Sequence, residues 1–293
     1  MLKYFINNNS TEQIKSICLS LDNLKHRIQK GDYSNCYDEF NLCKQWFEEL
    51  LELAKSIKNE DLANAQYVFR QYFLVFCNLS SYFQMLESKE FRKLWDKLQD
   101  CIDTVKIVGK YVNMDRRIEI PDIYELLEDY ELLYPYKVFC STEYIISKSH
   151  CSICGKSMQS LECSHIKGNL YWGNVAIEVI DKINKFQATC LVSHPEDKRC
   201  ILELSNDGRE DTEKFKNLND FLELGLPRLQ RFSVKTKIET RVRKDIVKEK
   251  RNNPCPCGSG LKFKICCGKN MYYKHERNIV TPQRHVILQK LCK

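Results

Sequence analysis

Apolar residues recur at helical spacing through the first 135 positions. Leu42, Trp46, Phe47, Leu50, Leu51, Leu53 and Ile57 form one stripe, Tyr67, Phe69, Tyr72, Phe73, Val75, Phe76 and Leu79 a second, and Phe91, Leu94, Trp95, Leu98, Ile102 and Val105 a third. Each returns every three to four residues, as the buried face of an α-helix does. Ser10-Thr11-Glu12-Gln13 supplies hydroxyls that can cap a first helix, and Ile120-Pro121-Asp122 opens another over 122–133. Residues 1–135 therefore read as an α-helical interaction domain, a bundle or a short solenoid. No repeated signature marks it as an array of repeats.

Beyond Tyr134-Pro135-Tyr136 the period shortens. Val138–Cys140, Tyr144–Ile146, Val175–Ile180, Phe186–Val192 and Cys200–Leu204 are β-like runs, separated by the turn-forming Asp181-Lys182-Ile183-Asn184 and His194-Pro195-Glu196-Asp197. They predict a small zinc-binding antiparallel β domain over 136–206. Thr212–Leu224 reads as a helix that Gly225 and Pro227 break, and Arg228–Arg251 as a second, basic helix. The expected organisation is a helical linker with a basic helix at 207–251, a zinc knuckle at 252–270 and a basic tail at 271–293. The fold class is α+β, mainly α.

Composition places the chain among ordinary globular proteins: 293 residues, 43% hydrophobic and 29% charged, with no apolar run long enough to span a bilayer. No secretory signal is recognised at Met1, so a cytoplasmic protein is expected. Sixteen cysteines in a reducing compartment point to metal rather than disulfides. Seven fall in two clusters, Cys151–Cys163 and Cys255–Cys267; the nine scattered ones, Cys18, Cys36, Cys43, Cys77, Cys101, Cys140, Cys190, Cys200 and Cys292, read as small core residues. Charge is uneven. Residues 228–293 hold 18 Lys and Arg against 4 Asp and Glu, whereas the preceding 227 hold 28 against 35.

The stretch Cys255-Pro-Cys257-Gly-Ser-Gly260-Leu-Lys-Phe-Lys-Ile-Cys266-Cys267-Gly268 places four thiols within thirteen residues, with glycines for the tight turns needed to surround one ion. This pattern resembles the SEC-C motif, named for the zinc-binding C-terminal tail of the SecA preprotein translocase: a Cys-x-Cys pair, a Gly-Ser-Gly turn, a Lys-x-Lys segment and a final Cys-Cys or Cys-His pair. The resemblance implies Cys255, Cys257, Cys266 and Cys267 as ligands of a structural Zn²⁺, Cys267 standing where the translocase form has histidine. It implies an interaction module, with protein or ribosomal partners. Four protein ligands leave no open position for catalysis.

The central cluster, Cys151-x₂-Cys154-x₈-Cys163-x-His165, offers three sulfurs and an imidazole for a second structural zinc. His150 is an alternative fourth ligand, but it borders Cys151 too closely for easy chelation with it. The run Cys163-Ser-His165-Ile166-Lys167-Gly168 loosely resembles an HNH nuclease, which implies His165 as the group that activates water. The sequence departs from that pattern: no Asp precedes the histidine, and there is no second Cys-x-x-Cys and no helix with a closing His. Cys190, His194 and Cys200 lie around one hairpin and read as packing. No phosphate-binding loop, nucleophile elbow or dinucleotide fingerprint is present, and no small-molecule substrate is evident.

Ten basic residues between Arg228 and Arg251, among them Arg231, Lys235, Arg241, Arg243, Lys244 and Lys248, continue into Lys262 and Lys264 over the knuckle. A solvated face, an acidic partner or a phosphate backbone would each suit them. The expected function is a non-enzymatic zinc-binding adaptor, an accessory subunit of a larger bacterial machine. The alternative is a nucleic-acid-binding protein or HNH-like nuclease using His165, compatible with an antiviral defence system.

Overall fold

The structure, a computed structural model, describes residues 11–112, 118–203, 211–243, 246 and 248–291. Ser10, Leu204, Lys244 and Cys292 lie outside them. Five helices come first: α1 (Glu12–Lys30), α2 (Asp38–Ser56), α3 (Glu60–Ser88), α4 (Phe91–Tyr111) and α5 (Ile120–Glu131). The Thr11 hydroxyl accepts from the Ile14 N–H at 3.4 Å, so half of the predicted capping pair does cap α1. Gly31, at φ 79°, ends the helix in the left-handed conformation.

Helix α3 is the axis of the bundle. Val68, Phe69, Tyr72, Phe73, Val75, Phe76, Leu79, Tyr82 and Phe83 are all buried, so its surface is apolar nearly all round and other elements must cover it. Successive helices pack on one another and α1 also meets α3, which closes a bundle. At one end of α4, Trp95 lies among Tyr134, Tyr136 and Phe139, with ring centroids 4.9–6.4 Å apart.

Strands β1 (Phe139–Cys151), β2 (Leu170–Tyr171), β3 (Asn174–Val175) and β4 (Glu178–Val192) follow, then α6 (Asp211–Lys214), α7 (Lys216–Glu223), β5 (Gln230–Val242) and β6 (Tyr272–His285). They form three two-stranded sheets, β1–β4, β2–β3 and β5–β6. The predicted Asp181–Asn184 turn is instead inside β4. Its turn-forming residues are absorbed as shifts in the antiparallel register, which breaks at four places between Glu143 and Ser149. Of the predicted strand at 200–204, Ile201 forms one isolated bridge with Phe139.

The basic helix over Arg228–Arg251 is corrected: this segment begins with strand β5. The physical reason lies in a period of two. Phe232, Val234, Thr236, Ile238, Thr240 and Val242 alternate with polar residues, and five of these six are β-branched, a stiffness that favours the pleated backbone over a helix. The segment read as a basic tail carries strand β6 and then packs on α1.

The chain divides into two compact units, Met1–Arg231 with Arg284–Lys293, and Phe232–Gln283. In the first, residues on either side of the second converge. Val286 donates its N–H to the Leu229 carbonyl at 2.9 Å. Arg231 pairs with Asp129 at 2.8 Å and with Glu125, and Arg284 reaches Asp122 at 2.5 Å and Glu125 at 3.0 Å. Further on, the Leu288 carbonyl accepts from Gln29 at 3.1 Å, the Gln289 carbonyl from Lys25 at 3.0 Å, and the Leu291 N–H donates to Asp22 at 2.8 Å.

Lys25 is 2% exposed at its side chain, beside Glu119 (also 2%) at 2.6 Å and the Tyr72 hydroxyl at 2.7 Å. Burial lowers its pKa, and the Glu119 charge opposes that shift. Replacing only one partner strands the other. Lys25→Met is expected to destabilise the helical unit by roughly 3–5 kcal/mol, whereas Lys25→Met with Glu119→Leu recovers most of that loss; urea unfolding followed by circular dichroism measures both.

Candidate metal centres

The two clusters are built alike. In the central one, β1 delivers Cys151, whose N–H donates to the Lys156 carbonyl at 2.7 Å while its carbonyl accepts from Gly155 at 2.9 Å. Gly155 makes this reversal at φ 72°. In the C-terminal one, the Cys255 N–H donates to Leu261 at 2.7 Å and its carbonyl accepts from Gly258, φ 78°, at 3.2 Å. Each loop turns the chain so that two thiols face a common point.

The remaining donors come from a second short segment. Cys163 and His165 join Cys151 and Cys154, and Cys266 and Cys267 join Cys255 and Cys257; within each set one ligand atom per residue lies within 4.8 Å of all the others. Sulfurs bound tetrahedrally at about 2.3 Å stand ~3.8 Å apart. Cys154 and Cys163 are 3.7 Å apart, Cys257 and Cys266 3.4 Å, Cys266 and Cys267 4.0 Å, and His165 Nδ1 is 3.9 Å from Cys163 Sγ. Both donor sets therefore fit a tetrahedral thiophilic ion.

Protonation fits the same purpose. Donors from Ser259, its hydroxyl first and its amide next, hold the Cys257 thiol at about 6, so it is a thiolate at neutral pH. Crowding by Cys255 and Cys257 pushes Cys267 up to about 12. Four adjacent thiols do not all ionise on their own, and a divalent cation is the charge that would allow it.

Packing explains why each centre needs an ion. The C-terminal unit's buried core is Cys255, Phe263 and Met271, with Ile246, Cys266 and Cys267 partly buried against it. So little apolar surface cannot by itself order a loop. The central centre belongs to the larger unit and is tied down there: the Gly168 carbonyl accepts from Tyr111 at 2.6 Å and from Lys110, Trp172 N–H donates to Glu60 at 3.1 Å, and Gly173 N–H to Asn64 at 2.8 Å. His165 packs edge-on against Tyr171, ring centroids 4.6 Å apart.

Other residues singled out in the sequence fall elsewhere. His150 faces away to Asp181 at 2.9 Å. His194 pairs with Ser193 at 2.8 Å, and Cys190 and Cys200 are exposed, so these three are not among the groups of described residues that can hold a metal. Cys18, Cys36, Cys43, Cys77 and Cys101 are buried as expected. Of the basic set, Arg231 is engaged with Asp129 and Glu125, Arg241 pairs with Glu239 at 3.3 Å, and Arg243 stacks over Tyr273 at 5.8 Å. Lys235, Lys248, Lys262 and Lys264 are exposed. Sequence reasoning missed Ser259 as a partner of the thiols and Glu60 and Asn64 as anchors; the Gly-Ser-Gly turn was the signal for the first, and nothing local marked the other two.

The SEC-C motif family model matches residues 251–269, the segment that folds into the C-terminal cluster. The same region is similar to SecA protein translocase subunits. That of Finegoldia magna is 60% identical over 35 residues, 11% of this chain and 4% of the translocase subunit. That of Helicobacter hepaticus is 37% identical over 99 residues, 33% and 10%, and that of Thermodesulfovibrio yellowstonii 80% over 20 residues, 7% and 2%. The chain thus spans a tenth or less of the length of these relatives. No solved structure matches it.

Gly268 closes the C-terminal cluster against backbone: a Cβ there would lie 2.5 Å from the Phe263 carbonyl oxygen. Overpacking of this kind costs about 1–3 kcal/mol. Gly268→Ala is expected to release metal to a chromogenic chelator roughly 10-fold faster or more, whereas Lys269→Ala, on the exposed side, leaves the rate unchanged.

Proposed function

We propose that the protein is a non-enzymatic zinc-binding adaptor that works in the cytoplasm, with one structural Zn²⁺ held by Cys151, Cys154, Cys163 and His165 and a second by Cys255, Cys257, Cys266 and Cys267. The observation that carries this reading is that each cluster already contains four protein donors. A tetrahedral ion so held keeps no position for water or substrate. Zinc supplies here a fixed charge and four constraints on the backbone. His165 is used as a donor in this scheme, which takes it away from the water-activating role of a nuclease.

The partner of such an adaptor is a protein or nucleoprotein, including the ribosome. Support comes from the C-terminal unit, where Lys262 and Lys264 stand exposed around the thiols beside Leu261 and Ile265, 49% and 47% exposed. Positive charge interleaved with apolar side chains suits an acidic, partly apolar surface. The similar proteins are translocase subunits, a setting in which such a module meets other proteins. Among the described residues no helix is long and apolar enough to cross a membrane.

Native mass spectrometry of gently purified protein is expected to show two zinc ions. Cys154→Ser and Cys257→Ser should each remove one, and Cys257→Ser, like chelation, should abolish capture of the partner while the helical circular dichroism persists. Partner binding that survives loss of the C-terminal zinc would refute the adaptor reading.

A further inference from the structure

The ribbon β1–β4 carries an uncovered apolar face. Residues directly opposite one another in an antiparallel pair share a face, and so do alternate residues of one strand. Cys140 lies opposite Leu191, Thr142 opposite Thr189, Tyr144 opposite Phe186 and Ile146 opposite Ile183. One face of the ribbon is therefore lined by Tyr144, Ile146, Ile183, Phe186 and Leu191, which are 42%, 39%, 52%, 60% and 66% exposed. The other face is directed to the helices at its base: Phe139, one step out of phase with Cys140, is buried and stacks on Trp95. The apolar face consequently points away from the bundle there.

An isolated two-stranded ribbon is marginal in water, and one with an open apolar side needs a cover. Two features say what covers it. First, the ribbon's charges cancel: Glu143, Glu178 and Asp181 stand against Lys148, Lys182 and Lys185. Such a surface attracts neither a polyanion nor a polycation, and it is compatible with itself. Second, the four register breaks interrupt a regular edge for an added strand, which leaves face-to-face packing as the available mode. The five side chains expose on the order of 500 Å² of apolar surface, a substantial part of the ~800 Å² each partner contributes to a standard interface.

We propose that this face binds the same face of a second copy of the chain, so that two ribbons stack into a four-stranded sandwich about a twofold axis. A twofold contact uses one patch twice and needs only self-complementarity. Each substitution in it acts twice for the same reason.

Sedimentation equilibrium of the full, zinc-loaded chain at micromolar concentration tests the assignment. The wild type is expected as a dimer. Phe186→Ser with Leu191→Ser should weaken association by roughly 100-fold or more, with unchanged circular dichroism, and Ile145→Ser on the opposite face should leave it intact. A monomeric wild type overturns the proposal and gives the face to a different protein. A dimer indifferent to the double substitution, or equally sensitive to Ile145→Ser, overturns it too. The exposed positions chosen make misfolding an unlikely confusion, and Ile183→Ser provides an independent repeat on the same face.

Discussion

Glu125 accepts from Arg231 and from Arg284, and the segment that carries the SEC-C motif lies between those two residues in the sequence. Asp122 and Asp129, one turn to either side on α5, complete an acidic row for the two guanidiniums. Surface ion pairs are individually weak. A shared carboxylate is different in kind, because it fixes both stems of a segment at one place on one helix. The Val286-to-Leu229 hydrogen bond adds a backbone contact to the same junction. The knuckle is thereby displayed as a closed insertion of the chain with both its stems held.

The two centres sit in unlike energetic settings. Around the central one, Glu60, Asn64, Lys110 and Tyr111 hold the loop by contacts that do not involve the thiols, so metal there adds to an existing scaffold. The C-terminal unit has a core of three buried residues and depends on ligation for its shape. Similar backbone turns thus serve as a staple on a folded body in one case and as the main source of order in the other.

The helical half and both cysteine clusters were legible because they are local. Helical stripes repeat every three to four residues, and all four C-terminal thiols fall within thirteen residues, so each pattern is complete inside one short window. What was not legible depended on distance or on a competing pattern. The charges of Arg231–Arg251 drew attention from the period of two in Phe232, Val234, Thr236, Ile238, Thr240 and Val242, and a strand was read as a helix. Asp181–Asn184 has turn chemistry, yet pairing with β1 carried the ladder through it. Cys190 and Cys200 are exposed although cysteine is usually buried, and the role of Arg231 rests on Asp129, a hundred residues away, which no local pattern could show.

The convergence of residues 229–231 with 284–291 also sets an order of events during synthesis. The C-terminal cluster closes loops of about ten residues and can capture its ion soon after Cys267 leaves the ribosome. The helical unit cannot be completed then: Lys25 awaits the Gln289 carbonyl, Asp22 the Leu291 N–H, and Glu125 the second of its two arginines. The module encoded later can thus mature first, and the bundle that begins the chain is sealed only after it.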